Sequence, residues 1–207
     1  MKISNKTILA IAPHLDDIEL GVGGTIHKLS KDNTIHYLGL SMPPLVEQKE
    51  FMNEFWESST HLGLIRKNMI LKDYDPRDLF KDRMEILQLF YDTNKSLKPD
   101  IVFVPNSKDI HQSHQVVFQE AQRAFKYSTI LGYELPWNSM SFDMDVFIEI
   151  NETDINAKQA SINSFESQKS RMFFSNDIIT DLAKLRGKQI GKEYAECFEL
   201  TRMIIDK

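Results

Sequence analysis

The 207-residue chain has a single cysteine, Cys197. One thiol closes no internal disulfide, so stability must come from packing, and the composition suits a reducing cytoplasm. Beside Phe198, Cys197 reads as a small buried side chain rather than a nucleophile. No apolar run approaches the roughly 20 residues a membrane span needs. Residues 1–6 lead straight into a strand, with no cleavable hydrophobic region. No Lys/Arg-rich stripe stands out and the net charge is −5, so nucleic acid is not an expected partner. Repeats and low-complexity linkers are missing as well. What is left, 42% hydrophobic and 27% charged, suits one domain over residues 1–207 with a proper core. No sustained heptad stripe is present from which an oligomeric state could be read.

Residues 7–12 form an apolar run that reads as a buried parallel strand. Residues 26–31 read as the helix that follows. Residues 34–41 are a second strand, broken by Met42-Pro43-Pro44. Phe51, Phe55, Trp56 and Leu62 place an amphipathic helix over residues 47–62, stopped by Gly63. A short strand is expected at 68–71, and Met84, Leu87, Phe90 and Tyr91 mark a helical stripe. Residues 101–104 read as a central strand. Further helices are expected at about 115–125, 154–165 and 178–187, and strands at 128–133 and 146–150. The tail, 193–203, fits helix or strand. This alternation predicts a single-domain α/β fold, Rossmann-like, its mostly parallel sheet covered by helices on both faces.

Two polar clusters interrupt this pattern. His14, Asp16 and Asp17 follow the first strand; Asp109, His111 and His114 follow the central one. In such a fold both fall at the carboxyl edge of the sheet, where ligands bind. His14 and Asp17 are three apart, so one turn entering a helix can aim both at a single point. With His114 they make a three-ligand nitrogen and oxygen set, which suits a catalytic Zn2+ ion with a position left open for water, although another divalent metal is compatible. Asp16 points elsewhere and is placed to accept a proton from a water that the metal acidifies. His111, when protonated, can stabilise an oxyanion and then protonate a departing amine. Asp109 can orient the His111 ring.

Each piece has a plainer reading. An Asp-Asp pair after a strand often caps a helix. Gly21-Val22-Gly23-Gly24 is weak evidence for phosphate binding, because close helix–sheet packing needs glycine as often. His27, His36 and His61 read as structural. Two further functions stand beside amide hydrolysis. A metal-dependent phosphoesterase would usually hold two ions and more carboxylates. A non-catalytic sugar- or nucleotide-binding domain would use the glycines at a helix N-terminus.

The same residues resemble a known family, the PIG-L or LmbE-like N-acetylglucosaminyl deacetylases. Its first signature reads here Pro13-His14-Leu15-Asp16-Asp17-Ile18-Glu19 with Gly23-Gly24-Thr25, and its second reads Asp109-Ile110-His111-Gln112-Ser113-His114. Gly132-Tyr133-Glu134, Trp137, Lys158, residues 165–168, Arg186-Gly187 and residues 194–198 extend the likeness. The resemblance implies a zinc-dependent hydrolase that removes acetyl from an N-acetylated amino sugar, free or conjugated. It implies His14, Asp17 and His114 as ligands, Asp16 as base and His111 as the oxyanion-stabilising or acid histidine. Three positions depart from the pattern. Leu15 stands where the family has proline, Ser113 where it has aspartate, and the arginine that helps hold the sugar after the second strand is absent, with Lys49 as a partial substitute. Loops at 43–49, 74–81 and 136–142 are the expected walls, where Trp137 and Tyr133 can stack on a sugar ring.

Overall fold

The computed structural model describes residues 2–42 and 48–205. The expected break at Pro43-Pro44 and the start of the loop before Lys49 lie outside the described residues.

Strand β1 (Thr7–His14) is an interior strand of a seven-stranded sheet. It pairs in parallel with β2 (Thr34–Ser41) on one side and with β4 (Ile101–Pro105) on the other. β3 (Met69–Leu71) extends the sheet beyond β2, and β5 (Thr129–Tyr133) beyond β4, both in parallel. β7 (Tyr194–Arg202) then pairs antiparallel with β5 and with β6 (Val146–Ile150), giving the order β3-β2-β1-β4-β5-β7-β6. The tail is therefore strand. It inserts between two strands that precede it, a choice made by pairing partners far away in sequence.

Alternation along the strands separates two cores. Ile8, Ala10, Ile35, Tyr37, Ile101 and Phe103 face one side. There they meet α1 (Asp17–Ser30), α2 (Gln48–His61), α5 (Glu152–Asn163) and α6 (Asn176–Gln189). Leu9, Ile11, Leu38, Leu40, Val102 and Val104 face the other, under α3 (Arg83–Leu97) and α4 (Gln112–Ala124). Burial on both faces is what makes these strands read as continuous apolar runs. The expected α/β architecture with helices on both faces is the one observed. In α3 the stripe is rotated from the expected one: Ile86, Leu87 and Phe90 are buried, whereas Met84 and Tyr91 are exposed. Among the described residues no helix is long and apolar enough to cross a membrane.

Helix α1 begins nine residues earlier than expected and takes in the glycine run. The glycines are buried inside the helix, so they do not form a phosphate-cradling loop ahead of it. Close packing requires them. A Cβ on Gly21 would lie 2.5 Å from the Tyr133 ring, and one on Gly24 would lie 2.7 Å from Ile150. Room at Gly24 also lets the Glu196 carboxylate reach the helix backbone. It accepts from the N–H of Gly24 at 3.1 Å and of Thr25 at 2.7 Å, while Lys158 Nζ pairs with it at 2.6 Å. All of this is buried.

Removing one partner of a buried ion pair leaves an uncompensated charge and costs about 3–5 kcal/mol. Glu196→Ala, which leaves the buried Lys158 without its partner, is expected to lower unfolding stability by about that amount in urea titrations. A Glu196→Leu/Lys158→Met double variant is expected to recover much of the loss.

Candidate metal centre

The crevice opens between β1 and β4. After β1 the chain leaves to one face of the sheet through α1, and after β4 it leaves to the other through α4. Adjacent parallel strands whose connections diverge leave a gap at their carboxyl ends. His14 ends β1, Asp16 is the N-cap residue of α1, and Asp17 is its first residue. Helix α4 starts at Gln112, three residues earlier than expected, so His114 belongs to its first turn and His111 is its N-cap.

The gap brings together atoms a hundred residues apart. His114 Nε2 lies 3.2 Å from His14 Nδ1 and 3.3 Å from Asp17 Oδ2. Asp17 Oδ2 lies 3.1 Å from His14 Nδ1. A tetrahedral ion with bonds of about 2.0–2.1 Å sets its ligand atoms about 3.3–3.4 Å apart. The three edges match that spacing. One shared proton satisfies a single edge of such a triangle, whereas a cation at its centre satisfies all three. The donor set therefore fits a divalent ion with nitrogen and oxygen preference. A second grouping is also present: one ring nitrogen each from His14, His111 and His114 lie within 4.8 Å of one another.

Supporting contacts orient these ligands. Asp17 Oδ2 also accepts from the His14 backbone N–H at 2.8 Å. Asp109, fully buried, meets His114 Nδ1 at 2.7 Å and accepts from the His111 backbone N–H at 2.8 Å. This corrects the expectation that Asp109 orients the His111 ring. As a helix cap, His111 turns its Nδ1 to accept from the Ser113 N–H at 3.3 Å, which leaves the Asp109 carboxylate to the ring one turn further on. In the neutral ring the proton of His111 then sits on Nε2. Asp16, by contrast, makes no capping hydrogen bond, and its Oδ2 is buried without a hydrogen-bond partner among the described residues.

The electrostatics follow from burial around crowded charge. Burial, with the Asp17 charge adding to it, raises Asp16 to about 6. Burial would raise Asp17 too, but His114 and His14 outweigh it and hold that carboxyl well below the usual range. Burial works against charge on His114, yet Asp17 and Asp109 overcome it and lift the imidazole to about 10. The site calls for a cation at that corner, and without an ion the proton on His114 supplies it. Burial and the neighbouring His114 and His14 push His111 down to about 4, so its ring is neutral near pH 7 rather than protonated as expected. Glu19 is fully buried, its Oε1 unpartnered among the described residues, and burial lifts it to about 8.

The remaining expected residues sit around this cluster. Lys49 is exposed on α2 and lines a groove of about 500 Å³ with Leu15, Met42, Met52 and Lys72. Trp137 does not stand free: Phe173 stacks on it at 4.6 Å and 13°. Tyr133 is fully buried, its hydroxyl donating to Ile11 O at 3.1 Å, and is no sugar platform. Sequence reading also missed Arg171, whose guanidinium comes within 3.8 Å of Asp16 Oδ2. Nothing in its spacing ties it to a motif 155 positions earlier; only the folded chain does.

Known proteins are similar to this chain in sequence and in fold. An uncharacterized deacetylase of Escherichia coli strain K12, YaiS, is 28% identical over 184 residues, which is 78% of this chain and 91% of YaiS. The conserved protein TT1542 from Thermus thermophilus superposes with a TM-score of 0.84 at 21% identity, over 98% of this chain and 97% of its own. The N,N'-diacetylchitobiose deacetylase from Pyrococcus horikoshii does so with a TM-score of 0.71 at 21% identity, over 95% and 84%. At such identities the two superpositions establish the fold alone. The profile of the PIG-L family, described as GlcNAc-PI de-N-acetylase, matches residues 9–125, more than half of the chain and every residue of the cluster. The chain belongs to the PIG-L family of deacetylases.

Proposed function

We propose that this chain hydrolyses the acetyl amide of an N-acetylated amino sugar or sugar conjugate, with one zinc ion held by His14, Asp17 and His114. The observation that carries the reading is the triangle of ligand atoms with edges of 3.1–3.3 Å, formed by residues from two distant loops. Family membership supports the reaction, and the diacetylchitobiose deacetylase of like fold supports a sugar substrate. A bound divalent ion supplies Lewis acidity, lowering the pKa of a water towards about 7 and polarising the acetyl carbonyl.

The chain's own residues do the rest. Asp16, buried and with an unshared oxygen, takes the proton of the attacking water. His111, its Nδ1 occupied by the Ser113 N–H, offers Nε2–H to the carbonyl oxygen as negative charge develops there. The proton held by Asp16 passes to the departing amine, and acetate is the second product. Asp109 fixes the tautomer of His114 by taking its Nδ1–H, which keeps the Nε2 lone pair free for the ion. In this reading Lys49, exposed on α2, and Trp137, stacked on Phe173, are assigned to the substrate. The phosphoesterase reading has less support, because the cluster offers ligands for one ion rather than two. The glycine-based nucleotide reading loses its physical basis, since the run is packed inside α1.

Asp16→Asn is expected to retain about one zinc per chain by elemental analysis and to lose about 100- to 10,000-fold in amine release from N-acetyl sugars. Full activity in that variant would remove Asp16 as the base. His114→Ala is expected to lose both zinc and activity. His111→Ala is expected to keep zinc and lose activity; loss of the metal there would instead favour the three-histidine ligand set. Two ions per wild-type chain would favour a phosphoesterase.

A further inference from the structure

Arg171 lies on the segment that joins α5 to α6 and folds back over the crevice. The segment is pinned. Ser167 N–H donates to Glu54 on α2 at 2.8 Å, and the Arg171 backbone closes two turns, N–H to Gln168 O at 2.9 Å and O from Phe174 N–H at 3.0 Å. Phe173 stacks on Trp137, and Phe174 meets the edge of the buried Phe165. Arg171 is therefore presented from a fixed backbone. Its guanidinium approaches Asp16 Oδ2 to 3.8 Å, beyond hydrogen-bond distance, and makes no hydrogen bond among the described residues. A guanidinium carries five N–H donors in a rigid fork. Here the fork is about one-third exposed, with its side chain at 35% and that of Asp16 at 5%. Donors left unspent this close to the base are within reach of a substrate that meets Asp16.

We propose that Arg171 is a specificity-determining residue: its guanidinium donates to oxygen substituents of the sugar ring next to the acetamide. The enzyme thereby favours N-acetyl amino sugars over N-acetyl amines that lack hydroxyl groups. The proposal rests on the deacetylase reading above. A planar fork holds two oxygens at once, which a lysine ammonium at the same place cannot do. A residue that only balanced the charge of Asp16 would need the charge and not the fork.

The test compares wild type, Arg171→Met and Arg171→Lys, each loaded with zinc, on N-acetylglucosamine and on N-acetylcyclohexylamine. Zinc content and melting temperature are expected to match among the three. For N-acetylglucosamine, both variants are expected to raise KM about 10- to 100-fold with kcat within about threefold of wild type, lysine rescuing little. For N-acetylcyclohexylamine, KM is expected to be unchanged. A fall in kcat at unchanged KM that Arg171→Lys restores would overturn the proposal, as would an equal rise in KM on both substrates. Calorimetric binding of N-acetylglucosamine separates this from failure of the deacetylase reading. If wild type turns over neither substrate, that reading fails, while a Kd that differs by less than threefold between wild type and Arg171→Met overturns the role of Arg171.

Discussion

Asp17 Oδ2 accepts from the backbone N–H of His14 at 2.8 Å and lies within 3.1–3.3 Å of ring nitrogens of His14 and His114. A carboxylate this buried costs several kcal/mol unless opposite charge and donors surround it. The neighbours make matters worse, because Asp16 and Glu19 are buried beside it. Glu19 escapes the conflict by staying protonated near pH 7. Asp17 does not escape it; it stays ionised, and something cationic must answer it. The proposed divalent ion between the two loops would do so, and a proton on His114 is the substitute without it. Pairing of β1 with β4 brings the two loops together at that point, and the hydrogen bond from Asp109 orients the His114 ring towards it.

Such a cluster works only if its walls hold still. Two devices fix α1, whose first residue is Asp17. One is the Glu196–Lys158 pair, which clamps the helix at Gly24 and Thr25 from β7 and α5. The other is Tyr133, which fills the space over Gly21 and hydrogen-bonds Ile11 O in β1. Both run through positions that look unremarkable one at a time. Together they show why a glycine run and a strand at the far end of the chain belong to one site: the strand supplies the acceptor that the glycines make room for.

How much of this could be read in advance depends on the range of the interaction. The apolar runs of β1, β2 and β4 were legible because burial on both faces leaves no polar alternation to confuse them. The candidate cluster was legible because the residues brought together come in two short motifs, each complete within about six residues. Boundaries failed where a polar motif begins a helix: α1 and α4 start inside the chemistry, at Asp17 and Gln112, rather than after it. Pairings failed where the partner is remote. β7 gave no clear period because its place between β5 and β6 is set by strands far earlier in the chain. Asp109 was assigned to the nearer histidine in sequence, yet the first helical turn brings His114 back over it. Arg171 had no local signal at all.

The departures from the family pattern share a physical logic. Where proline is usual, Leu15 has a backbone N–H, and it donates to Ser41 O at the end of β2 at 3.1 Å, a bond proline cannot make. Where aspartate is usual, the Ser113 hydroxyl donates to Pro76 O in the loop after β3 at 2.8 Å, a bond an ionised carboxylate cannot make. Each change replaces a restraint or a charge with a donor to a neighbouring main chain, the end of β2 in one case and the loop after β3 in the other. The residues proposed as ligands and base are untouched. The two hydrogen bonds tie the end of β2 and the loop after β3 to the segments that carry His14 and His114. Ser113 also leaves the cluster one formal charge less negative than aspartate would, so Asp17 carries more of the negative charge that the proposed ion would answer.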